Sequence, residues 1–147
     1  MFKPAINLSH IIVNVPDLDR SLAFYRDKLD FRVILEARNV EVIAGSGRLL
    51  SVALVERADD VIGMVELIQF ASQTQPSTSS SSGAGFGLWA ITWEVKDLDA
   101  LYEEWGQRGV KFTQEPNLQV IPGCGKFYSA LMTDVDGNRI ELVTQVE

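Results

Sequence analysis

The chain has 147 residues, 46% of them hydrophobic, enough for one packed domain or for two half-domains too small to stand alone, and too many for wholesale disorder. A net charge of −7 argues against a nucleic-acid partner, whose phosphates demand clustered Lys and Arg, and no run approaches the ~20 apolar residues that span a bilayer. A single cysteine, Cys124, and a single histidine, His10, exclude an intrachain disulfide and a cysteine-based zinc site, and oblige any imidazole chemistry to use His10. The opening MFKPAINLSH lacks the apolar core of a signal peptide, so a cytoplasmic location is expected.

In chain order, Ile11, Val13 and Val15 alternate with His10, Ile12 and Asn14, which predicts a strand with one apolar face. Asp17 is a plausible N-cap for a helix lined by Leu18, Leu22, Tyr25 and Leu29. Strands are predicted at Phe31–Leu35, Val40–Ala44, Leu49–Glu56 and Met64–Phe70, with turns at Gly45-Ser46-Gly47 and over 56–60. Residues 72–87, SQTQPSTSSSSGAGFG, cannot bury enough apolar area to offset their ordering entropy and read as a connector between halves. Strand Trp89–Val95 follows, then a helix to about Arg108 with Gly109 at its end, strands at Val110–Thr113, Gln119–Ile121, Lys126–Thr133 and Arg139–Val143, and a turn at Asp136-Gly137-Asn138.

The second half repeats the first. Val15-Pro16-Asp17-Leu18-Asp19 recurs 80 residues later as Val95-Lys96-Asp97-Leu98-Asp99, and MVELI at Met64–Ile68 recurs as RIELV at Arg139–Val143, which aligns Glu66 with Glu141 at an offset of 75. The expected class is therefore α+β: module 1 over 1–71, connector 72–87, module 2 over 88–147, each strand, helix and then strands. In such a repeat His10, Glu66, Ala90 and Glu141 occupy related positions, one in the first and one in the last strand of each module. A carboxylate between apolar strand neighbours is costly unless exposed, paired or coordinated. Glu66 and Glu141 each have that setting, so His10, Glu66 and Glu141 are candidate metal ligands and the two glutamates candidate catalytic groups.

These residues resemble the vicinal oxygen chelate superfamily, through the βαβββ repeat, the first-strand histidine ahead of V-x-D-L-D, and the terminal D-x-D-G-N-R-I-E-L. The superfamily contains glyoxalase I, methylmalonyl-CoA epimerase, extradiol dioxygenases, fosfomycin-modifying enzymes and bleomycin-binding proteins. The resemblance implies two modules forming a cupped, incompletely closed eight-stranded mixed sheet, a homodimer, and a divalent metal on His10, Glu66 and Glu141. Ala90 departs from the pattern, since metal-dependent members usually carry a second histidine there. Two carboxylates and one imidazole suit Mn, Fe, Co, Ni or Mg better than Zn.

The reaction this implies is proton movement next to a carbonyl through a metal-stabilised enediolate, as in an isomerase, epimerase or lyase acting on a small molecule. Two alternatives stay open: a metal-free isomerase or cyclase using the glutamate pair as acid and base, and a non-catalytic module that sequesters a small molecule such as an antibiotic. Asn14, Thr92, Phe127 and Tyr128 are candidate pocket residues, with one of the two aromatics expected to face the cup. Trp89 and Trp93 are expected in the core, Cys124 as an ordinary loop residue, and Arg20, Arg26 and Lys28 on a solvated helix face.

Overall fold

The computed structural model describes residues 9–41, 45, 47–57, 63–72 and 88–146. The chain divides into two compact units, Met1–Thr74 and Gln75–Glu147. Apart from Ser72, the predicted connector lies outside the described residues, as do 42–44, Ser46 and 58–60 of the predicted strand end and turns.

In the first unit the strands are β1 (His10–Asn14), β2 (Phe31–Glu41), β3 (Leu49–Arg57) and β4 (Met64–Phe70), arranged β1-β4-β3-β2. β1 runs parallel to β4, and β3 is antiparallel to both β4 and β2. The second unit repeats this with β5 (Ile91–Glu94), β6 (Phe112–Ile121), β7 (Gly125–Thr133) and β8 (Arg139–Val146) in the order β5-β8-β7-β6. The α+β class and the tandem βαβββ plan are as expected. The eight strands form two four-stranded mixed sheets, neither of them closed into a barrel.

Each helix lies on one face of its own sheet. Helix α1 (Leu18–Ala23) packs on β3 and β4, burying Leu18, Ser21 and Leu22, and helix α2 (Leu98–Gln107) packs on β6, β7 and β8 through Leu98 and Trp105. The aspartates in the repeated V-x-D-L-D motif start both helices. Asp17 Oδ1 accepts from the Arg20 amide and Asp97 Oδ1 from the Ala100 amide, each at 3.0 Å, satisfying a donor that the first helical turn leaves unpaired. Beneath the helices, Val13, Val15, Ala53, Val55, Val65 and Leu67 form one core, and Ile91, Ala130, Met132, Ile140 and Leu142 the other. All lie on the odd face of β1 or its register equivalents, so strand alternation leaves the opposite face of each sheet for other work.

Three expectations are corrected. Phe31–Leu35 and Val40–Ala44 belong, as far as Glu41, to the single strand β2, and Val110–Thr113 and Gln119–Ile121 to the single strand β6. Both strands carry register shifts, at Val33/Leu35 and Ala37/Val40 and at Phe112/Gln114 and Gln114/Asn117, and Asn39 adopts φ 50°. Bulges break the alternation from which a continuous strand is read. Secondly, the first helix continues as a π-helical turn, Phe24–Lys28, closed by Leu29 N–H donating to Phe24 O at 3.3 Å. The wider turn shifts the helical phase, so Phe24 and Tyr25 are both buried, and Tyr25 meets Phe24 and Phe31 edge to face at 5.6 and 5.7 Å. Lastly, β5 begins only at Ile91, and Trp89 is half exposed with the Arg139 guanidinium 5.0 Å from its ring centroid.

Candidate functional site

The face of the first sheet turned away from α1 carries His10, Ile12 and Asn14 from β1 and Met64, Glu66 and Ile68 from β4. The parallel register sets His10 opposite Met64 and Ile12 opposite Glu66, so the imidazole reaches diagonally along the sheet to the carboxylate. His10 Nε2 lies 2.8 Å from Glu66 Oε2, with the side chains 31% and 26% exposed. Ser9 Oγ lies 3.0 Å from Nδ1. A neutral ring protonated on Nε2 satisfies both contacts, donating to Glu66 and accepting from the serine hydroxyl. Around the pair the strand neighbours are apolar: Leu54 of β3 stands opposite Glu66, and Ile12 is 56% exposed. Polar chemistry is thus set into an otherwise greasy, accessible face.

The second sheet reproduces this register with different side chains. Thr92 stands opposite Glu141 as Ile12 stands opposite Glu66, and its Oγ1 donates to Glu141 Oε2 at 2.8 Å. Ala90, immediately before β5, occupies the place of His10 and offers no ligand. Phe127 is opposite Gln145 and shares the face of Leu131 and Glu141, whereas Tyr128 faces the other way and donates its hydroxyl to Asp99 Oδ1 of α2 at 2.7 Å. Of the two aromatics, Phe127 is therefore the one on the glutamate's side. Accepting that bond, the Asp99 carboxylate pushes the Tyr128 phenol above its ordinary range.

The terminal motif positions Glu141. Asp134, buried at the end of β7, accepts from the Asp136 and Asn138 amides through Oδ1, each at 2.9 Å, and from Asn138 Nδ2 through Oδ2 at 2.8 Å. Gly137 at φ 85° completes the turn, and β8 then starts in fixed register. Two positioning residues escaped the sequence reading. Gln69 Oε1 accepts from the Leu18 amide at 2.9 Å, and its repeat counterpart Thr144 donates to Val95 O at 2.7 Å; both tie the last strand to the start of the helix. Their 75-residue spacing, shared with Glu66 and Glu141, was the available signal.

Of the predicted ligands, His10 and Glu66 meet within the first unit, and Glu141 stands in the second with Thr92. Among the described residues no group of three or more His, Cys, Asp or Glu is placed to hold a metal ion. Asn14, opposite Ile68, is exposed on the face of His10, while Cys124 is an exposed turn residue whose amide donates to Ile121 O at 3.0 Å. An open groove of about 510 Å³ beside α2, lined by Tyr102, Gly106, Val110 and Phe112 among others, contains none of the predicted site residues.

The glyoxalase/bleomycin resistance protein/dioxygenase superfamily model matches residues 7–142. The chain belongs to this superfamily. No curated protein matches it. Among solved structures, this superfamily member is similar to UcmS2, with 23% identity and a TM-score of 0.69 over 95% of this chain and 98% of the other. It is also similar to a glyoxalase family protein from Bacillus cereus, at 15% identity and a TM-score of 0.73 over 99% and 97%. TnmS3, an antibiotic binding protein from Streptomyces sp. CB03234, matches at 19% identity and a TM-score of 0.68 over 99% and 100%. At these identities the likeness is one of fold.

Proposed function

We propose that the chain is a small-molecule enzyme of the glyoxalase type that moves a proton next to a substrate carbonyl, with Glu66 and Glu141 carrying the proton and His10, Glu66 and Glu141 as ligands of a divalent metal ion. The observation that supports this reading best is the 2.8 Å approach of His10 Nε2 to Glu66 Oε2, which aims two donor atoms at one point while Ser9 holds the far side of the ring. Ligation of an ion by Nε2 would take the other tautomer, with Nδ1–H donating to Ser9 Oγ, the kind of outer hydrogen bond that orients a ligating imidazole. One imidazole with two carboxylates fits Mn, Fe, Co, Ni or Mg better than tetrahedral Zn. Bound there, such an ion would polarise the carbonyl and acidify the neighbouring carbon.

The chain's own groups supply the remaining steps. Thr92 holds Glu141 Oε2 and leaves Oε1 to take or return a proton. Without an ion the two carboxylates can divide the acid and base roles, which gives an isomerase or cyclase of the same outcome.

Elemental analysis of protein purified without chelators tests the metal: about one equivalent per chain is expected, and under about a tenth, with no recovery on adding Mn, Co, Ni or Fe, rejects it. Proton transfer is tested by NMR-detected deuterium uptake at the carbon next to the carbonyl in a panel of small oxo acids. Glu66→Gln and Glu141→Gln should each slow uptake by roughly 10²–10⁴-fold, the usual size of a general acid–base contribution.

A second reading, a non-catalytic small-molecule binder, is favoured by Ala90 in place of the second histidine and by the likeness to an antibiotic binding protein. It predicts ligand-induced protection from thermal unfolding that survives both glutamine substitutions, with no deuterium uptake. In either reading we propose a homodimer, which light scattering after size exclusion will test.

A further inference from the structure

Arg139 stands at the first position of β8, two residues before Glu141 and on the same sheet face, because strand side chains alternate. Its counterpart in the first unit, 75 residues earlier, is Met64, which lies opposite His10. The second unit thus reverses the arrangement: the first strand has lost its imidazole to Ala90, and a nitrogen-rich cation has appeared on the last strand at the adjoining register position. The Arg139 guanidinium rests over the Trp89 ring, 5.0 Å from its centroid. Among the described residues it makes no hydrogen bond or ion pair, even with Glu141. Its planar fork of five N–H donors is therefore held in place by a ring and left open.

The backbone leading into this position is tied to the preceding turn. The preceding residue, Asn138, is fixed through both its amide and its side chain to buried Asp134, and Asn138 O accepts from the Asp134 amide at 3.0 Å. Ala90, next to Trp89, has no side chain long enough to cover the fork.

We infer that Arg139, seated on Trp89, receives an anionic group, carboxylate or phosphate, of the small molecule held on the Glu141 face of the second sheet. A guanidinium binds such groups through two parallel N–H···O contacts, and the protein's net charge of −7 gives anions no other general reason to gather here. Strand geometry places Arg139 roughly 7 Å along β8 from Glu141, a spacing that fits a small oxo acid or its phosphate ester with its acidic carbon toward the glutamate. This inference rests on the proposed function for what happens at Glu141, but not for the binding of the anion.

The test titrates wild-type protein with pyruvate, inorganic phosphate and uncharged pyruvamide, following the Arg139 Nε–H and Trp89 indole N–H signals by NMR. Saturable shifts with pyruvate or phosphate, and none with pyruvamide, are expected, and the anion that saturates at lower concentration identifies the group. Arg139→Met, which restores the first unit's residue, should weaken the anion at least tenfold, and Arg139→Lys should recover part of that loss at unchanged thermal stability. Equal responses to pyruvate and pyruvamide, no saturation with either anion by about 20 mM, or unaltered affinity in Arg139→Met overturns the inference. Glu141→Gln separates the two proposals: it should not weaken the anion titration while slowing deuterium uptake roughly 10²–10⁴-fold, so either can fail without the other.

Discussion

Asp134 organises more of the second unit than any residue offered as a ligand. Three donors converge on its buried carboxylate, and hydrogen bonds to a charged group contribute about 1.5–3 kcal/mol each at most. Asp134→Ala should therefore cost about 3 kcal/mol in urea unfolding, with Asp134→Asn intermediate; a loss under about 1 kcal/mol would show that water replaces the carboxylate without penalty. Tyr128 offers a pH-dependent prediction. Its phenol is raised by the bond to Asp99, so the stabilisation it adds is complete below the unfolded phenol's pKa, near 10, and fades as pH climbs through the higher folded value. Absorbance titration should show one tyrosine ionising late, and Asp99→Asn should return it to the ordinary range. Residue identity made Glu66, Glu141 and His10 legible in the sequence. The partners were not: that Glu66 meets the imidazole, and that Thr92 rather than a second histidine attends Glu141, depends on register across strands 49 or more residues apart.

The elements show which local signals are robust. The Asp17 cap and the apolar face of the first helix formed where the sequence placed them, and Asp97 caps α2 in the same way, because capping and helical periodicity are decided within one or two turns. Asp17→Ala and Asp97→Ala should each cost about 1 kcal/mol by chemical denaturation, and similar losses at the two sites are expected from their shared geometry. Gly109, at φ 79° after α2, is likewise the residue that a left-handed turn favours. Strand continuity was less legible. β2 and β6 each read as two pieces because a bulge inserts a residue and reverses which side chains face inward, and hydrogen bonding to the neighbouring strand then carries the element through. The π-helical turn was hidden for a related reason: burial of Phe24 next to Tyr25 contradicts α-helical spacing and makes sense only once the turn widens.

At the scale of the whole molecule, charge and repetition carry the prediction. With a net charge of −7 the chain should leave the anisotropy of a labelled DNA duplex unchanged up to about 100 μM protein at physiological salt, a titration that covers the usual range of non-specific dissociation constants. Saturable binding there would mean that a local basic surface outweighs the total. Repetition explains why so much of the architecture could be read at all. A βαβββ module imposes the same burial demands twice, so Val65 and Leu67 are answered by Ile140 and Leu142 and the helix-facing sides are conserved in character within one chain. The opposite sides have no such duty to the core, and there the modules diverge: His10 against Ala90, Ile12 against Thr92, Met64 against Arg139.

The sequence by itself determined the repeat, the helix caps, the core faces and the candidate acids, because each rests on spacing within a segment or on identity at a fixed offset. Only the tertiary structure decided the rest: the pairing of His10 with Glu66, the turning of Tyr128 toward α2 and Phe127 away from it, and the seating of Arg139 on Trp89. The physical reason is that these depend on which strands become neighbours and in what register, and a bulge or one residue of slip changes the face on which a side chain emerges.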